Sequence, residues 1–349
     1  MTNDPLTKDA MSPDPKTDPT PRTGPAVDTA HGPPVGDMIE TPAARMGVLA
    51  RAWDSDIAYS FRGSPVTIVS AIVAALMILA AVFAPWITPQ DPFDAAQLNL
   101  MDGFTPPGVP NEFTGNEYVF GTDPQGRDMY SAVFYGARVS LLVGLASVVF
   151  SLTVGVTLGL VAGYLGGRTE ALIMRIADIQ LSFPAILVAL LVFGIARGVI
   201  PPAQQEQATL FVLILAIGIS NWAQYARTVR ATTLVEKSKV YVDAARLIGL
   251  KPFVVMVKHV LPNVTGPVLV IATINLALAI IEEATLSFLG AGMPPTQPSL
   301  GTLIRIGQQY LFSGEWWILF FPAMALVLLA LSINLLGDWL RDALNPKLR

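Results

Sequence analysis

Val139-Ser-Leu-Leu-Val-Gly-Leu-Ala-Ser-Val-Val-Phe-Ser-Leu-Thr-Val-Gly-Val-Thr-Leu-Gly-Leu-Val-Ala-Gly-Tyr-Leu-Gly166 runs without a single charged side chain. About 20 apolar residues rising 1.5 Å each cross a hydrocarbon core of roughly 30 Å. The run is therefore long enough to span a bilayer, and only a helix lets one segment satisfy its own backbone there. Within it Ser151, Gly155, Gly159 and Gly163 recur every four residues, which places small side chains on one face and predicts close packing against another helix. The open alternative is a pore-lining stripe.

Outward from this run, similar uncharged stretches occupy 66–87, 179–196, 208–225 and 316–337, and another follows Pro262 to about residue 290, interrupted late by Glu282 and Glu283. The chain thus reads as all-α, with about six transmembrane helices. Its composition agrees: of 349 residues 52% are hydrophobic and 14% charged, against about 25% charged in soluble domains. With no cysteine, disulfides and thiolate metal sites are excluded, and His31 and His259 are too few and too far apart for a histidine metal centre or a Ser-His-Asp triad. No catalytic or metal site is expected, and no cofactor. Residues 1–40 hold eight prolines and few large apolar residues, so they read as a disordered tail. The first apolar run starts too late for a cleaved signal and is expected to stay as an uncleaved helix.

The net charge of −4 conceals a strong asymmetry. Arg227, Arg230, Lys237, Lys239, Arg246, Lys251 and Lys258 lie between the fourth and fifth spans, and Arg341, Lys347 and Arg349 follow the last. Arg168, Arg175, Arg45, Arg51 and Arg62 fall on the same side of a six-span arrangement, whereas the other side holds chiefly Arg127, Arg138, Arg197 and Arg305. By the positive-inside rule both termini are expected to be cytoplasmic. Trp86, Trp222, Trp316, Trp317 and Trp339 are expected at interfaces, with Pro184 as a kink in the third span.

Between the fourth and fifth spans stands Tyr241-Val-Asp-Ala-Ala-Arg-Leu-Ile-Gly-Leu-Lys-Pro-Phe-Val-Val-Met-Val-Lys-His-Val-Leu-Pro262. Its residue types predict a short helix ending at Leu247, a left-handed glycine at 249, and a second helix opened by Pro252 ahead of the span after Pro262. The product is a helix-turn-helix elbow. Asp243, Ala244, Ala245, Gly249, Leu261 and Pro262 match the pattern of the Glu-Ala-Ala loop in permeases of binding-protein-dependent ABC importers, with aspartate in place of the usual glutamate. The resemblance implies that this loop supplies the helix that couples to an ATPase subunit.

A second match precedes the second span. Gly121, Thr122, Asp123, Gly126, Arg127 and Asp128 resemble the Gly-Thr-Asp-x-x-Gly-Arg-Asp motif of the C-type permease in the dipeptide, oligopeptide and nickel group. Leu181-Ser-Phe-Pro184 and Leu286-Ser-Phe-Leu-Gly290 are similar to that group too, while Ala132 stands where relatives often carry arginine. The residues themselves read as turn chemistry, with Asp128 capping the following helix; a cation site at Asp123 and Asp128 is the weaker alternative. The resemblance covers about residues 60–347 and implies the type I permease fold. It also implies a bacterial inner-membrane location, with a paralogous second permease, two ATPase subunits and a periplasmic binding protein as partners, and membrane lipid around the spans. Nucleic acid has no place in it. Most of the group import di- and oligopeptides, others nickel chelates or oligosaccharides.

On this reading the chain divides into a cytoplasmic tail at 1–45, a pre-membrane segment at 46–65, a first span at 66–87, a periplasmic loop at 88–138, a permease core at 139–340 with its cytoplasmic coupling loop at 226–262, and a cytoplasmic C-terminus at 341–349. Glu282 and Glu283 lie roughly 27 Å along the fifth span. A carboxylate facing lipid there is costly, so both are expected to face the bundle, water or a cationic partner. Adjacent residues point about 100° apart, so both cannot share one direction. Structural pairing and contact with the translocation path stay open, with a headgroup or helix-capping donor for the second acid. No Gly-x-x-x-x-Gly-Lys-[Ser/Thr] loop is present, so ATP hydrolysis is expected on other chains. The competing function is a gradient-driven secondary transporter with Glu282 or Glu283 carrying a proton, which leaves the elbow without a purpose.

Overall fold

The computed structural model describes residues 56–343. The expected tail at 1–45, positions 46–55 and positions 344–349 lie outside the described residues. Those described form helix after helix with no strand. Short α1 (Asp56–Gly63) leads into α2 (Pro65–Val82), which opens on Pro65 and is capped by the Ser64 hydroxyl accepting from Thr67 N at 3.3 Å. After α3 (Ala84–Ile87) the chain crosses an irregular loop and enters α4 (Met129–Leu165). At 37 residues α4 is about 55 Å long and extends well beyond one hydrocarbon thickness.

The small-residue stripe of α4 packs within the chain. It lies against α7 (Pro202–Glu236): a Cβ added at Gly155 would come 2.4 Å from the Tyr225 Cβ, and one at Gly159 2.5 Å from the Ala226 carbonyl oxygen. Ser151 Oγ donates to the Gly218 carbonyl at 3.1 Å across the same seam. Without side chains in the way, the two backbones approach closely enough for dispersion contacts along most of their length.

The expected third span is broken. Its residues belong to α5 (Gly167–Leu181) and α6 (Ala185–Val199), which meet at 96°. Pro184 lacks an N–H and drives Phe183 away from helical geometry, so the chain turns there instead of kinking. Among the described residues five helices are long and apolar enough to cross a membrane, or six if this bent pair counts as one span. α5 follows one half of α7, through Ala177 against Ala223 and Ala226, and α6 follows the other, through Ala189 and Phe193 against Leu213 and Ile217.

The elbow forms as expected, with two differences. α7 runs on to Glu236 because nothing in 226–236 breaks it, and α8 (Val240–Leu247) follows. The elbow's second helix is no separate element: α9 (Pro252–Phe288) is continuous with the fifth span. Pro262 is accommodated by a π-turn over Met256–Val260, where the Leu261 N–H reaches back five residues to the Met256 carbonyl. The wider turn relieves the clash that a proline ring makes with the carbonyl four residues earlier.

A loop then leads to α10 (Leu300–Tyr310), which lies between the last two apolar runs, and to the last span, α11 (Trp317–Ala343). α10 tucks between neighbours through glycines: a Cβ at Gly301 would meet the Ala284 carbonyl oxygen at 2.3 Å. One core cluster joins α2, α4, α9 and α11 through Ala81, Met129, Ile280 and Leu329, and another at the basic end joins α4, α7, α8 and α9 through Leu160, Tyr225, Val242 and Val264. Two of the expected interfacial indoles are internal. Trp222 is buried with its N–H on Gln180 Oε1 at 2.6 Å, and Trp317 is buried with its N–H on the Thr122 carbonyl at 3.0 Å, whereas Trp86 and Trp316 are exposed.

Candidate functional site

Three groups of residues were singled out by sequence, and the structure places them at the two ends and within the span region. At the basic end, α8 is amphipathic over two turns. Val242 and Ala245 face the core beneath it, while Asp243 and Ala244 face out. Asp243 pairs with Arg246 at 3.2 Å, both ends of that pair being largely exposed. Gly249 has φ +83°, the left-handed conformation expected of it. It ends α8 in a Schellman arrangement, with Gly249 N–H on the Arg246 carbonyl at 3.0 Å and Leu250 N–H on that of Ala245 at 3.2 Å. Leu261 and Pro262 lie in α9, at and just beyond the π-turn.

The root of this elbow is held by groups that the motif does not include. Tyr241 Oη donates to Glu236 Oε2 at 2.7 Å and accepts from Asn263 Nδ2 at 3.1 Å, and Asn263 also reaches the His259 carbonyl at 2.8 Å. Burial and the neighbouring Glu236 carboxylate both push the Tyr241 phenol up, keeping it a donor. Lys237 Nζ caps the C-terminal end of α4 by donating to the Gly163 carbonyl at 2.9 Å, and the Arg246 guanidinium lies 5.5 Å from the Tyr164 ring. At the outer edge the picture reverses. Leu247 is 88% exposed and Ile248 76%, with Val240 and Phe253 also bare.

At the opposite end, the Gly-Thr-Asp residues are structural. Gly121 has φ +74° and sits under Trp317, whose ring a Cβ there would meet at 2.8 Å. Thr122 accepts from Thr105 N at 2.8 Å and donates to the Asp102 carbonyl at 2.5 Å. Asp123 Oδ1 accepts from Gln125 N at 2.8 Å and Arg127 N at 3.0 Å, closing the turn in which Gly126 takes φ +75°. Asp128 caps α4, accepting from Ser131 N at 3.0 Å and Ser131 Oγ at 2.5 Å. Burial pushes the Asp123 carboxyl up despite the Arg127 guanidinium 3.8 Å away. These oxygens are committed to turn and cap donors.

The centre of this loop is Asp102, which sequence reading passed over. Its buried carboxylate accepts from Thr114, from Asn99 Nδ2 at 3.1 Å, from Tyr118 Oη at 3.1 Å and from Asn116 Nδ2 at 3.2 Å. Burial alone would raise its pKa; the hydrogen bonds outweigh it and hold the carboxyl below the usual range. In return the Tyr118 phenol, buried beside that carboxylate, is pushed up to about 12. The only advance sign was Asp102-Gly103, an ordinary turn pair.

The acid pair does divide. Glu283 is fully buried between α4 and α9, accepting from Ser140 Oγ at 2.6 Å and Ser287 Oγ at 2.7 Å. Those serines in turn accept from Leu300 N at 3.3 Å and Met293 N at 3.2 Å, so Glu283 anchors the loop that carries α10. Glu282 is only half-buried and accepts from Asn221 Nδ2 of α7 at 2.7 Å. Neither carboxylate has a cation partner among the described residues, while Glu283 also meets Ser299, the residue that caps α10.

Residues 155–349 match the family model described as the binding-protein-dependent transport system inner membrane component. Residues 52–107 match that of the N-terminal transmembrane domain of oligopeptide transport permease C. A putative peptide transport system permease protein of Brucella suis is 41% identical over 278 residues, 80% of this chain and 86% of that protein. The di/tripeptide transport system permease protein DppC of Pseudomonas aeruginosa is 39% identical over 274 residues, 78% of this chain and 86% of its own length. The oligopeptide transport system permease protein OppC of Bacillus subtilis is 37% identical over 295 residues, 84% and 90% of the two chains.

Proposed function

Because the chain belongs to the family of binding-protein-dependent transport system inner membrane components, as an ABC importer permease of the peptide-transport group, we propose that it moves di- and oligopeptides through the inner membrane by alternating access. In this reading a periplasmic binding protein delivers the peptide, a paralogous second permease completes the pore, and two separate ATPase subunits drive it. In this reading the basic end is cytoplasmic, which the Lys and Arg distribution supports, with both termini on that side. The gradient-driven alternative loses its ground with the family assignment.

The observation that carries the coupling role is the bare outer edge of the elbow. Leu247 at the end of α8, Ile248 that caps it and Phe253 in the first turn of α9 are exposed together around the elbow's turn, at the basic end of the molecule. Meanwhile Val242, Ala245 and the Tyr241 network fix the inner edge to α7 and α9. A partner that presses on the apolar edge therefore moves the roots of two long helices together. Glu283, Asp102 and the Gly-Thr-Asp turn serve this function by holding the far end in shape, and Glu282 is the acidic residue left for the path.

The test is uptake of labelled di- and oligopeptides in cells deleted for the gene and for other peptide importers, complemented with wild type or with Gly249→Pro. Proline cannot adopt the φ of +83° at this position. Uptake restored by wild type alone supports both peptide transport and the elbow's role. Uptake indifferent to the deletion refutes the peptide assignment and turns attention to nickel chelates and oligosaccharides.

A further inference from the structure

Among the five long spans α7 is the least apolar. Four of the polar residues in its basic half share a face. Asn221, Gln224, Thr228 and Thr232 fall at i, i+3, i+7 and i+11, which places them within one narrow helical face. Gln224 is exposed and the other three are half-buried. Thr228 and Thr232 spend their hydroxyls on their own helix, at 3.1 Å to the Gln224 carbonyl and 3.0 Å to that of Thr228, while no described residue bonds the Gln224 amide. Gln224 closes the apolar run 208–225 one turn before the exposed Arg227–Asp178 pair, so its bare amide opens toward the watery basic end of the helix.

Glu282 stands at the head of this face. One oxygen is held by Asn221 at 2.7 Å; the other bonds nothing among the described residues and is not sealed in, in contrast to the fully buried Glu283 one residue on. The nearest cation along α7, Arg227, is already paired with Asp178 at 2.6 Å. A half-open carboxylate and a bare amide one turn below Asn221 are thus two separate signs that this face meets water or a polar traveller.

We propose that Glu282 and the Asn221–Gln224–Thr228–Thr232 face of α7 line the translocation path, and that Glu282 is its contact for a primary ammonium group on the substrate. The proposal rests on the importer reading and specifies which of the two adjacent acids meets the cargo. For a peptide the matching group is the free N-terminus or a lysine side chain, drawn in by the carboxylate while the amides and hydroxyls below solvate its backbone. Glu283, with both oxygens tied to serines, positions the α10 loop and stays out of the path.

The chain contains no cysteine, so a single introduced thiol reports its own surroundings. Gln224→Cys is made alone and with Glu282→Gln in the assembled importer. It is labelled during ATP turnover with a permanently cationic and an anionic methanethiosulfonate of similar size, each rate normalised to that of a free thiol and read on this chain by mass. The thiol at 224 is expected to react far faster than one at lipid-facing Ile72→Cys on α2, and the cationic-to-anionic rate ratio is expected to fall about tenfold when Glu282 becomes Gln. A thiol as unreactive as that at 72, or a ratio unchanged by Glu282→Gln, overturns the proposal. Asn221→Asp, which adds a carboxylate at the same place, is expected to raise the ratio and serves if Glu282→Gln fails to assemble. Trialanine and N-acetyl-trialanine uptake form the second arm. Loss of preference for the free amine in Glu282→Gln supports the ammonium contact, whereas a wild type that transports neither peptide while its labelling ratio stays high sinks the peptide reading and leaves the cation-attracting path standing.

Discussion

The elbow at 237–251 and the loop at 88–128 are both connections between spans, yet they handle their polar and apolar groups in opposite ways. In the loop a buried carboxylate, Asp102, gathers four side-chain donors, and Trp317 pins Thr122 to the last span. The elbow keeps its hydrogen bonds at the root, around Tyr241 and Lys237, and turns Leu247 and Ile248 outward. A buried carboxylate is stable only when its lone pairs are met, so the loop is built to keep one shape. Apolar side chains left bare outside the bilayer mark a surface that is finished by something else.

The sharpest way to break this comparison is Leu247→Asp. The side chain touches little of its own chain, so thermal stability of the isolated subunit should not change. Co-purification of the ATPase should be lost, with affinity down by roughly 100-fold, as expected when an apolar anchor is replaced by a charge. A variant that still brings down the ATPase would show that the bare edge is not the docking surface.

Asp102→Ala should reverse the pattern, costing the loop about 3 kcal/mol because Thr114, Asn116, Tyr118 and Asn99 lose a shared buried acceptor. Limited proteolysis should then cut within 88–128 while ATPase binding persists. The same network sets a pH range. Because Asp102 is held below the usual carboxylate range, its contribution is present above the unfolded pKa and fades as pH falls through the lower folded value. Tyr118, pushed up to about 12, contributes fully below its ordinary pKa and loses that contribution as pH rises through 12. Protease resistance of the loop should therefore fall with pH in the acid range in the wild type, and in Asp102→Asn it should start lower and stay flat over that range.

Much of this contrast was legible in the sequence, and what escaped has physical reasons. The elbow was readable because Gly249 and Pro252 act locally: each fixes its own backbone, and the structure returns the expected helix, left-handed glycine and helix start. Asp128 as a cap was readable for the same reason. The break at Pro184 was misjudged as a kink, since a proline in an apolar run gives no sign of whether neighbouring helices restore the lost bond or let the chain turn. Asp102 was missed because its donors come from three to sixteen positions along the loop, a convergence that only the folded loop creates. Glu282 and Glu283 part by the helical angle, but which one meets Ser140 depends on how α4 and α9 are rotated against each other, a packing that also brings Gly144 onto Ile280.

Smaller effects sharpen the comparison. Gly249→Ala places a Cβ in open space at φ +83°, so its cost is backbone strain alone, about 1 kcal/mol, visible as a modest drop in melting temperature. Smaller still is the effect on folding of Asp243, the residue at which this elbow departs from the usual glutamate. Its pair with Arg246 is exposed, and such pairs are worth about 0.5 kcal/mol or less. Asp243→Ala should thus leave the melting temperature within error. If the outer edge is shaped for a partner, peptide-stimulated ATP hydrolysis should nevertheless fall in Asp243→Ala and survive in Asp243→Glu, which keeps the charge and lengthens the arm by one methylene. Loss of stability without loss of coupling would move Asp243 from the docking edge to the braced root.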